Sequence, residues 1–220
     1  MKKILAVGIF LSLFVGNNYS QTIDEQDLVG SNNPLEYSAS YLTIAPDSRA
    51  GAMGDVGAAT SPDYNSMHWN PAKYAFIESD MGIAASYTPW LRNLVNDINL
   101  GYVSFYKKID NVQTVAATLL YFDLGDIQFT NEIGEYNGQH SPYELSLDVA
   151  YARSFSERIS GGIAFRYIRS DITGGALVGD LETKAGNAVA ADISMYYVND
   201  DLTINENNAV WSFGINISNI

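Results

Sequence analysis

Apolar and polar side chains alternate residue by residue through the second half of the chain. The stretch 143–152 (YELSLDVAYA) is the clearest case, because its odd positions are all apolar or aromatic and its even positions are all acidic or small. The same alternation recurs in 159–169, 187–197 and 209–218. Successive side chains of a β-strand point to opposite faces, so this pattern predicts strands with one apolar and one polar face.

Three less regular stretches, 82–87, 98–107 and 112–122, raise the expected number to about seven strands after residue 80. The strands are about 9–12 residues long, which suffices to cross a bilayer at a tilt. Amphipathic helices are excluded, because the apolar positions do not recur at helical spacing. The sequence therefore predicts an all-β protein built from antiparallel strands.

The connections between these strands alternate in length. Short turns are expected at 108–111, 155–158 and about 199–207, and mostly longer, Gly-, Asp- and Asn-rich loops at 89–97, 123–142 and 171–186. Short turns at one rim and long loops at the other are typical of a transmembrane β-barrel of the outer membrane. A soluble, exported β-sandwich also gives each sheet one apolar and one polar face, and it is the alternative fold.

The N-terminus has the three parts of a secretory signal peptide. A basic start (MKK) precedes the apolar run 4–15, and the residues up to Ser20 offer a cleavage site. The run is too short to cross a bilayer as a helix, and no later apolar stretch is long enough to do so. We therefore predict an exported protein from which residues 1–20 are removed.

The composition narrows the functional classes. The net charge of -13 would repel the phosphates of nucleic acid. Cysteine is absent, and His68 and His140 lie far apart without partners at metal-ligand spacing. The sequence contains no nucleophile motif of the hydrolases. We therefore predict a protein that is not an enzyme and that needs neither a metal nor another cofactor.

Residues 21–80 precede the strands and differ from them in character. A tract rich in small residues ends in an Asn-Pro turn, and its defining residues are Arg49, Gly51, Gly54, Gly57, Asp63, Asn70 and Pro71. Small residues let backbones approach closely, so packing explains the glycines better than ligand binding does. We predict that 21–80 is a plug inside a barrel whose first half is formed by 81–220.

Charged side chains lie on the predicted polar face. A hairpin that turns near Glu157 places Asp148 opposite Arg166 or one diagonal step away. We predict an ion pair in the barrel interior and favour a structural role over a role in transport. The sequence reaches Ile220 inside an expected strand, and an odd number of strands is unusual for a bacterial barrel. We interpret these residues as the N-terminal part of a longer barrel chain.

The tract 46–63 (PDSRAGAMGDVGAATSPD), followed by 69–73 (WNPAK), resembles the PorV family, outer-membrane proteins of the type IX secretion system in Bacteroidetes. That family in turn resembles the FadL family of long-chain fatty-acid transporters, whose plug also has an Asn-Pro-Ala element. The resemblance implies a FadL-like barrel of fourteen strands, of which this chain would hold about seven. It also implies a location in the cell outer membrane, in contact with its lipid.

The resemblance further implies a shuttle role in protein secretion. Such a protein accepts cargo from a translocon of the SprA (Sov) type through the C-terminal signal domain of the cargo, and it delivers the cargo to a PorU-type sortase for attachment to lipopolysaccharide. We expect the cargo to contact apolar side chains of the long-loop rim, namely Trp90, Leu91, Ile127, Phe129, Tyr136, Leu177 and Leu181. Packing of these loops on themselves is the alternative explanation of the same side chains.

Two other functions remain open. A FadL-like outer-membrane transporter of hydrophobic small molecules would need an apolar path through the interior, and Glu144, Asp148, Arg166 and Asp192 make that path polar. An enzyme acting on lipopolysaccharide would need a nucleophile beside a base, and neither histidine lies next to a convincing serine.

Overall fold

The computed structural model of the protein describes residues 39–94, 97–130, 133–174, 177–178, 181–182, 184–204 and 207–220. The predicted signal peptide (1–20) and the first part of the predicted plug (21–38) lie outside the described residues. The described part is all-β in class, with a few short helical turns ahead of the first strand.

The strands of the described part all follow residue 80. They are β1 (Met81–Pro89), β2 (Ile98–Lys108), β3 (Gln113–Leu124), β4 (Ile127–Thr130), β5 (Tyr136–His140), β6 (Tyr143–Ser154), β7 (Ile159–Asp171), β8 (Leu177–Val178), β9 (Leu181–Glu182), β10 (Gly186–Ile204) and β11 (Asn207–Ile217).

Seven of these strands form one antiparallel sheet in the order β1-β2-β3-β6-β7-β10-β11. The sheet is curled and corresponds to half of a barrel. The expectation of an all-β fold with about seven long strands is confirmed. Since the β6–β7 hairpin turns around Glu157, its register pairs Asp148 directly with Arg166.

Two of the long connections contain small hairpins of their own. Strand β4 pairs with β5 between β3 and β6, and β8 pairs with β9 between β7 and β10. The expected turn at 199–207 was wrong, because β10 continues to Ile204 and β11 begins at Asn207. A β-bulge between Asn199 and Leu202 shifts the register, and the ladder continues past Asp200 and Asp201.

The sheet buries its polar face and exposes its apolar face. Asp148 and Asp192 are 4% and 2% exposed, whereas Val149 and Val189 on the same two strands are 50% and 82% exposed. The concave face therefore carries the polar side chains and the convex face carries the apolar ones. An apolar surface of this extent is rare on a protein surrounded by water, and it suits an apolar environment.

Residues 39–80, which we call the docked segment, cover the concave face. The segment contains two single-turn helices, α1 (Ser48–Ala52) and α2 (Ser66–Trp69), and 3-10 turns at Ser40–Thr43 and Pro71–Phe76. None of the helices in the described ranges has the length and apolar character needed to cross a membrane.

Side chains start two of these helical turns. Asp47 accepts a hydrogen bond from the backbone N–H of Ala50 at 2.8 Å and so caps α1. Asn70 accepts one from the N–H of Ala72 at 3.1 Å, with Pro71 at the first position of the following 3-10 turn. The Asn-Pro-Ala element therefore turns the chain sharply just before it enters the sheet.

The core lies between the docked segment and the concave face. One cluster packs large side chains of the segment against small side chains of the sheet, and its members are Met67, Tyr74, Ala75, Ile77, Tyr106, Ala116, Ala150, Ala152 and Ala164. A second cluster surrounds Tyr41, whose ring stacks on Phe122 with centroids 6.5 Å apart. The alanines of the strands leave the room that the tyrosines fill.

Two glycines of the concave face let the backbone of the docked segment touch the sheet. A Cβ atom at Gly162 would lie 2.7 Å from the backbone nitrogen of Ala72, and one at Gly214 would lie 1.9 Å from the carbonyl oxygen of Ala58. Both neighbours are backbone atoms, so neither can move aside as a flexible side chain would. A side chain at either position would push the segment away from the sheet.

We predict that Gly214→Ala loosens the docked segment and lowers the free energy of unfolding by about 1–3 kcal/mol, the usual cost of overpacking. The measurements are urea unfolding in detergent and limited proteolysis within residues 50–65. The control is Gly101→Ala in β2, where a Cβ atom would meet its nearest heavy atom at 3.9 Å. Equal stability and equal protease resistance of the two variants would contradict the prediction.

Candidate functional site

The Asn-Pro-Ala turn is attached to β7 and β10 by side-chain hydrogen bonds. The amide of Asn70 donates to the carbonyls of Ala58 and Met195 at 2.8 and 3.0 Å. The N–H of Ala72 donates to the hydroxyl of Ser194 at 3.0 Å, and its carbonyl accepts from the hydroxyl of Ser160 at 2.7 Å. Asn70 therefore links two parts of the docked segment to the sheet.

The small-residue tract passes close to Trp69. A Cβ atom at Gly57 would lie 2.1 Å from the indole ring, so only glycine fits there without a rearrangement. The indole N–H donates to Asp47 at 3.1 Å, and the hydroxyl of Ser212 in β11 donates to the carbonyl of Ala59 at 2.6 Å. These contacts hold the tract between Trp69 and the edge of the sheet.

The three regularly spaced glycines have different surroundings. Gly54 adopts a φ of 79°, which a side chain would disfavour, and it ends the turn that follows α1. Gly51 faces open space, so packing does not require glycine at that position. Of the three, Gly57 alone has the close packing contact that the sequence led us to expect.

Arg49 joins the beginning and the end of the tract. Its guanidinium donates to Asp63 at 2.8 Å and to the hydroxyl of Ser61 at 2.9 Å. The arginine side chain is 48% exposed, so the ion pair contributes less than 1 kcal/mol or so to stability. Its main effect is to fix the path of residues 50–62 as a closed loop.

Lys73 is a buried cation that the sequence analysis missed. The side chain is 0% exposed, and its ammonium donates to the carbonyl of Gly57 at 2.9 Å and to the hydroxyl of Thr60 at 3.0 Å. Burial lowers the pKa of Lys73 to about 8, an effect that the charge of Asp63 partly offsets. A lysine directly after an Asn-Pro-Ala turn gave no sequence signal of burial, because lysine is nearly always exposed.

A network of charges crosses the concave face beneath the docked segment. Arg166 donates to Asp148 at 2.6 Å and to Asp192 at 3.3 Å, and all three side chains are at least nine-tenths buried. Thr118 donates to the second oxygen of Asp148 at 2.9 Å. The amide oxygen of Asn219 accepts from Arg166 at 2.7 Å. The network therefore connects β3, β6, β7 and β10.

The long-loop rim carries the side chains that we expected to contact a partner. Leu91, Ile127 and Tyr136 are exposed by 51%, 45% and 66%. Phe129 is half-buried in β4. Leu177 and Leu181 lie in the paired strands β8 and β9. Leu94, which the sequence analysis did not select, is 81% exposed in the same loop as Leu91.

Trp90 differs from the other rim residues, because it packs against the cluster around Tyr41. Its backbone N–H donates to the carbonyl of Ile98 at 2.9 Å, which extends the pairing of β1 with β2 by one residue. Trp90 therefore belongs to the interface between this loop and the docked segment, as the self-packing alternative would have it.

The polar side chains described above make contacts between parts of the chain. Within the part of the chain that the structure describes, no three or more His, Cys, Asp or Glu side chains are grouped so as to hold a metal ion. His140 approaches Asp171 at 3.7 Å and joins the loop before β6 to the end of β7. The features that the structure brings together are a filled concave face and an exposed apolar rim.

Comparison with known families identifies a matching family model. A family model described as "Type IX secretion system protein PorV" matches residues 27–220, which includes the docked segment and all strands of the sheet. A comparison with curated proteins finds no match.

We predict that Arg166→Met lowers the free energy of unfolding by about 3–5 kcal/mol, because it leaves two buried carboxylates without a counter-charge. The triple variant Asp148→Asn, Arg166→Met, Asp192→Asn removes all three charges and should recover most of the loss. Urea unfolding in detergent measures both. A single variant as stable as the triple variant would mean that water or ions already compensate these carboxylates.

We predict that the stability of the docked segment rises with pH between about 8 and 9.5. In this window folded Lys73 loses its proton, whereas the unfolded lysine, with its ordinary pKa of 10.5, keeps it. The gain amounts to about 2 kcal/mol, since each pH unit is worth about 1.4 kcal/mol. Urea titrations at several pH values, followed by tryptophan fluorescence, measure it. Lys73→Met lacks the titrating group, so its stability should lack this rise; the same rise in both proteins would assign it elsewhere.

Proposed function

The chain belongs to the PorV family of type IX secretion system proteins, and we propose that it acts in the outer membrane as the component that receives exported cargo and passes it to the surface-attachment machinery. The family is that of a secretion component rather than of an enzyme. The observation that carries the proposal is the family match over residues 27–220, together with the apolar convex face of the sheet.

The exposed apolar face of the sheet supports the outer-membrane location. The convex side chains of β6, β7 and β10 are large and apolar, and Phe165 is 60% exposed. Lipid would cover these side chains without the cost that water imposes, about 25 cal/mol for each Å² of apolar surface. A signal peptide at 1–20 would direct the chain to export, which the proposed location requires.

We propose that further strands complete a FadL-like barrel of fourteen strands. Within the described ranges, β1 and β11 each pair with one neighbouring strand. An open sheet edge leaves unpaired N–H and C=O groups, which the hydrocarbon region does not tolerate. The docked segment would then be the plug of the barrel, and the ion-pair network would lie in its interior.

The filled concave face favours a protein partner over a small molecule that crosses the barrel. The core clusters, the buried charges and the docked segment together occupy the concave side. A fatty acid would have to displace this packing and pass three buried charges. Cargo that binds at the rim would need no such path. The long-loop rim faces outward from the membrane in barrels of this kind, which places it where exported cargo arrives.

We predict that a charge on the rim prevents cargo binding. The triple variant Leu91→Asp, Ile127→Asp, Tyr136→Asp introduces charges at three exposed apolar positions, and each desolvated charge opposes burial in an interface. We expect at least a tenfold drop in the cargo that co-purifies with tagged full-length protein from solubilised outer membrane. Mass spectrometry identifies the cargo by its shared C-terminal domain, and also detects the translocon and sortase.

The matched control is Ile109→Asp, an exposed apolar residue in the β2–β3 turn at the opposite rim. It should retain cargo, and all variants should remain in the outer-membrane fraction. Recovery of bound fatty acid without any cargo from the wild-type protein would contradict the shuttle function and favour a transporter of hydrophobic small molecules. Full cargo recovery with the triple rim variant would mean that cargo binds somewhere other than this rim.

A further inference from the structure

The convex face contains a depression near the short-turn rim. It has a volume of about 430 Å³ and is lined mainly by apolar side chains, namely Tyr151, Ile163, Ile193 and Met195 of β6, β7 and β10 and Phe155 of the β6–β7 turn. The backbone of the sheet at Gly161 and Gly162 forms part of its lining. The ring of Phe155 lies beside Gly161, since a Cβ atom there would be 2.7 Å from the ring. Phe155, which is 70% exposed, closes it on the turn side.

The apolar surface continues from this depression toward β11. A second depression of about 290 Å³ shares Met195 with the first and is lined by Ile159, Tyr197, Trp211 and Phe213. The rings of Tyr197 and Trp211 meet edge to face, with centroids 5.6 Å apart. Together the two depressions form a trough on the face that would be directed toward lipid.

An arginine, Arg153, lies at the end of the trough. Arg153, the residue before the last of β6, lines the first depression and is exposed. Within the described ranges no carboxylate forms an ion pair with it. Its cross-strand neighbour Gln113 is engaged by Asp110 and Tyr151. The carboxylate of Asp110 interacts electrostatically with Arg153 but forms no ion pair with it, so the guanidinium can still bind an anionic ligand.

The position of Arg153 identifies the chemistry of that ligand. An arginine at the boundary between an apolar wall and a short-turn rim lies at headgroup level, where its planar fork suits a phosphate. Lys107 projects from the same convex face at the end of β2 and adds positive charge at this level. Short turns face the periplasm in outer-membrane barrels, so this is the leaflet of glycerophospholipids rather than of lipopolysaccharide.

We propose that the trough binds one glycerophospholipid of the periplasmic leaflet, with its phosphate on Arg153 and an acyl chain over Gly161. The proposal rests on the membrane location given under the proposed function, and it goes beyond cargo transfer. It explains why a cation without an ion-pair partner lies beside an apolar depression. A protein partner would need a larger complementary surface than this narrow trough supplies.

The test uses full-length protein, purified in detergent, stripped of lipid and analysed by native mass spectrometry. The probes are dioleoyl phosphatidylglycerol and dioleoylglycerol, which share their acyl chains and differ in the phosphate headgroup. Wild-type protein should retain one phosphatidylglycerol and at least tenfold less dioleoylglycerol. Arg153→Gln should reduce phosphatidylglycerol retention at least tenfold, and Gly161→Leu should abolish it by filling the depression. A Cβ atom at position 161 would lie 2.7 Å from the ring of Phe155, an exposed side chain that can swing outward, and 3.7 Å from the carbonyl oxygen of Ser194, an ordinary contact.

Two controls match these variants. Arg158→Gln removes a rim cation that already pairs with Asp201, and Gly101→Leu adds a side chain to the convex face of β2, where space is open. Both should retain the lipid as wild type does. Equal retention of the two probes, or equal losses in Arg153→Gln and Arg158→Gln, would overturn the proposal. The proposed function fails separately, if the protein is absent from the outer-membrane fraction or carries no cargo.

Discussion

The burial of the polar face of the sheet is the constraint on which the rest of the structure depends. Glu144, Asp148, Arg166 and Asp192 all point to the concave side, and each would lose hydration there without a polar partner. The network of Arg166 with the two aspartates supplies partners for the charges. What remains of the concave face is filled by the docked segment, whose tyrosines pack against the alanines of the strands. The segment is thus the second layer that a single sheet requires.

The docked segment has little regular secondary structure, and side chains satisfy much of its backbone. Five of its carbonyl groups accept hydrogen bonds from side chains. Lys73 donates to Gly57, Asn70 to Ala58, Ser212 to Ala59, Tyr74 to Tyr64 and Ser160 to Ala72. Each buried carbonyl without such a donor would cost about 1–3 kcal/mol. Two of these donors, Ser160 and Ser212, explain why small hydroxyl side chains occupy concave positions of β7 and β11. The buried lysine has the same use. Its ammonium donates to a carbonyl that has no backbone N–H partner, because the segment lacks regular secondary structure.

The strands were predictable because an exposed apolar face and a buried polar face both obey the two-residue period. The Asp148–Arg166 register followed from the position of one hairpin turn, since a turn fixes every pair beyond it. The extension of β10 was not predictable, because Asn199, Asp200 and Asp201 have the composition of a turn and a bulge keeps them in the ladder. From the sequence, Gly162 and Gly214 are recognisable only as small residues on the polar face. Their contacts with Ala72 and Ala58 join positions more than 85 residues apart in sequence, which no local pattern reveals.

The two sides of the docked segment are held by different forces. Toward β7, β10 and β11 it is fixed by directional hydrogen bonds. Asn70 donates to Met195, Ser194 accepts from the N–H of Ala72, and Ser160 and Ser212 donate to carbonyls of the segment. Toward β2 and β3 it is held mainly by the packing of Tyr41, which tolerates small displacements better than a hydrogen bond does. Trp90 belongs to that same cluster, and Leu91 follows it directly on the rim. Because packed clusters shift between discrete arrangements, a partner that engages Leu91 would act on a part of the docked segment that is held mainly by packing, together with one hydrogen bond from Ser86 of β1 to the carbonyl of Pro46. The rim proposed for cargo is therefore connected to the docked segment through Trp90 and Tyr41.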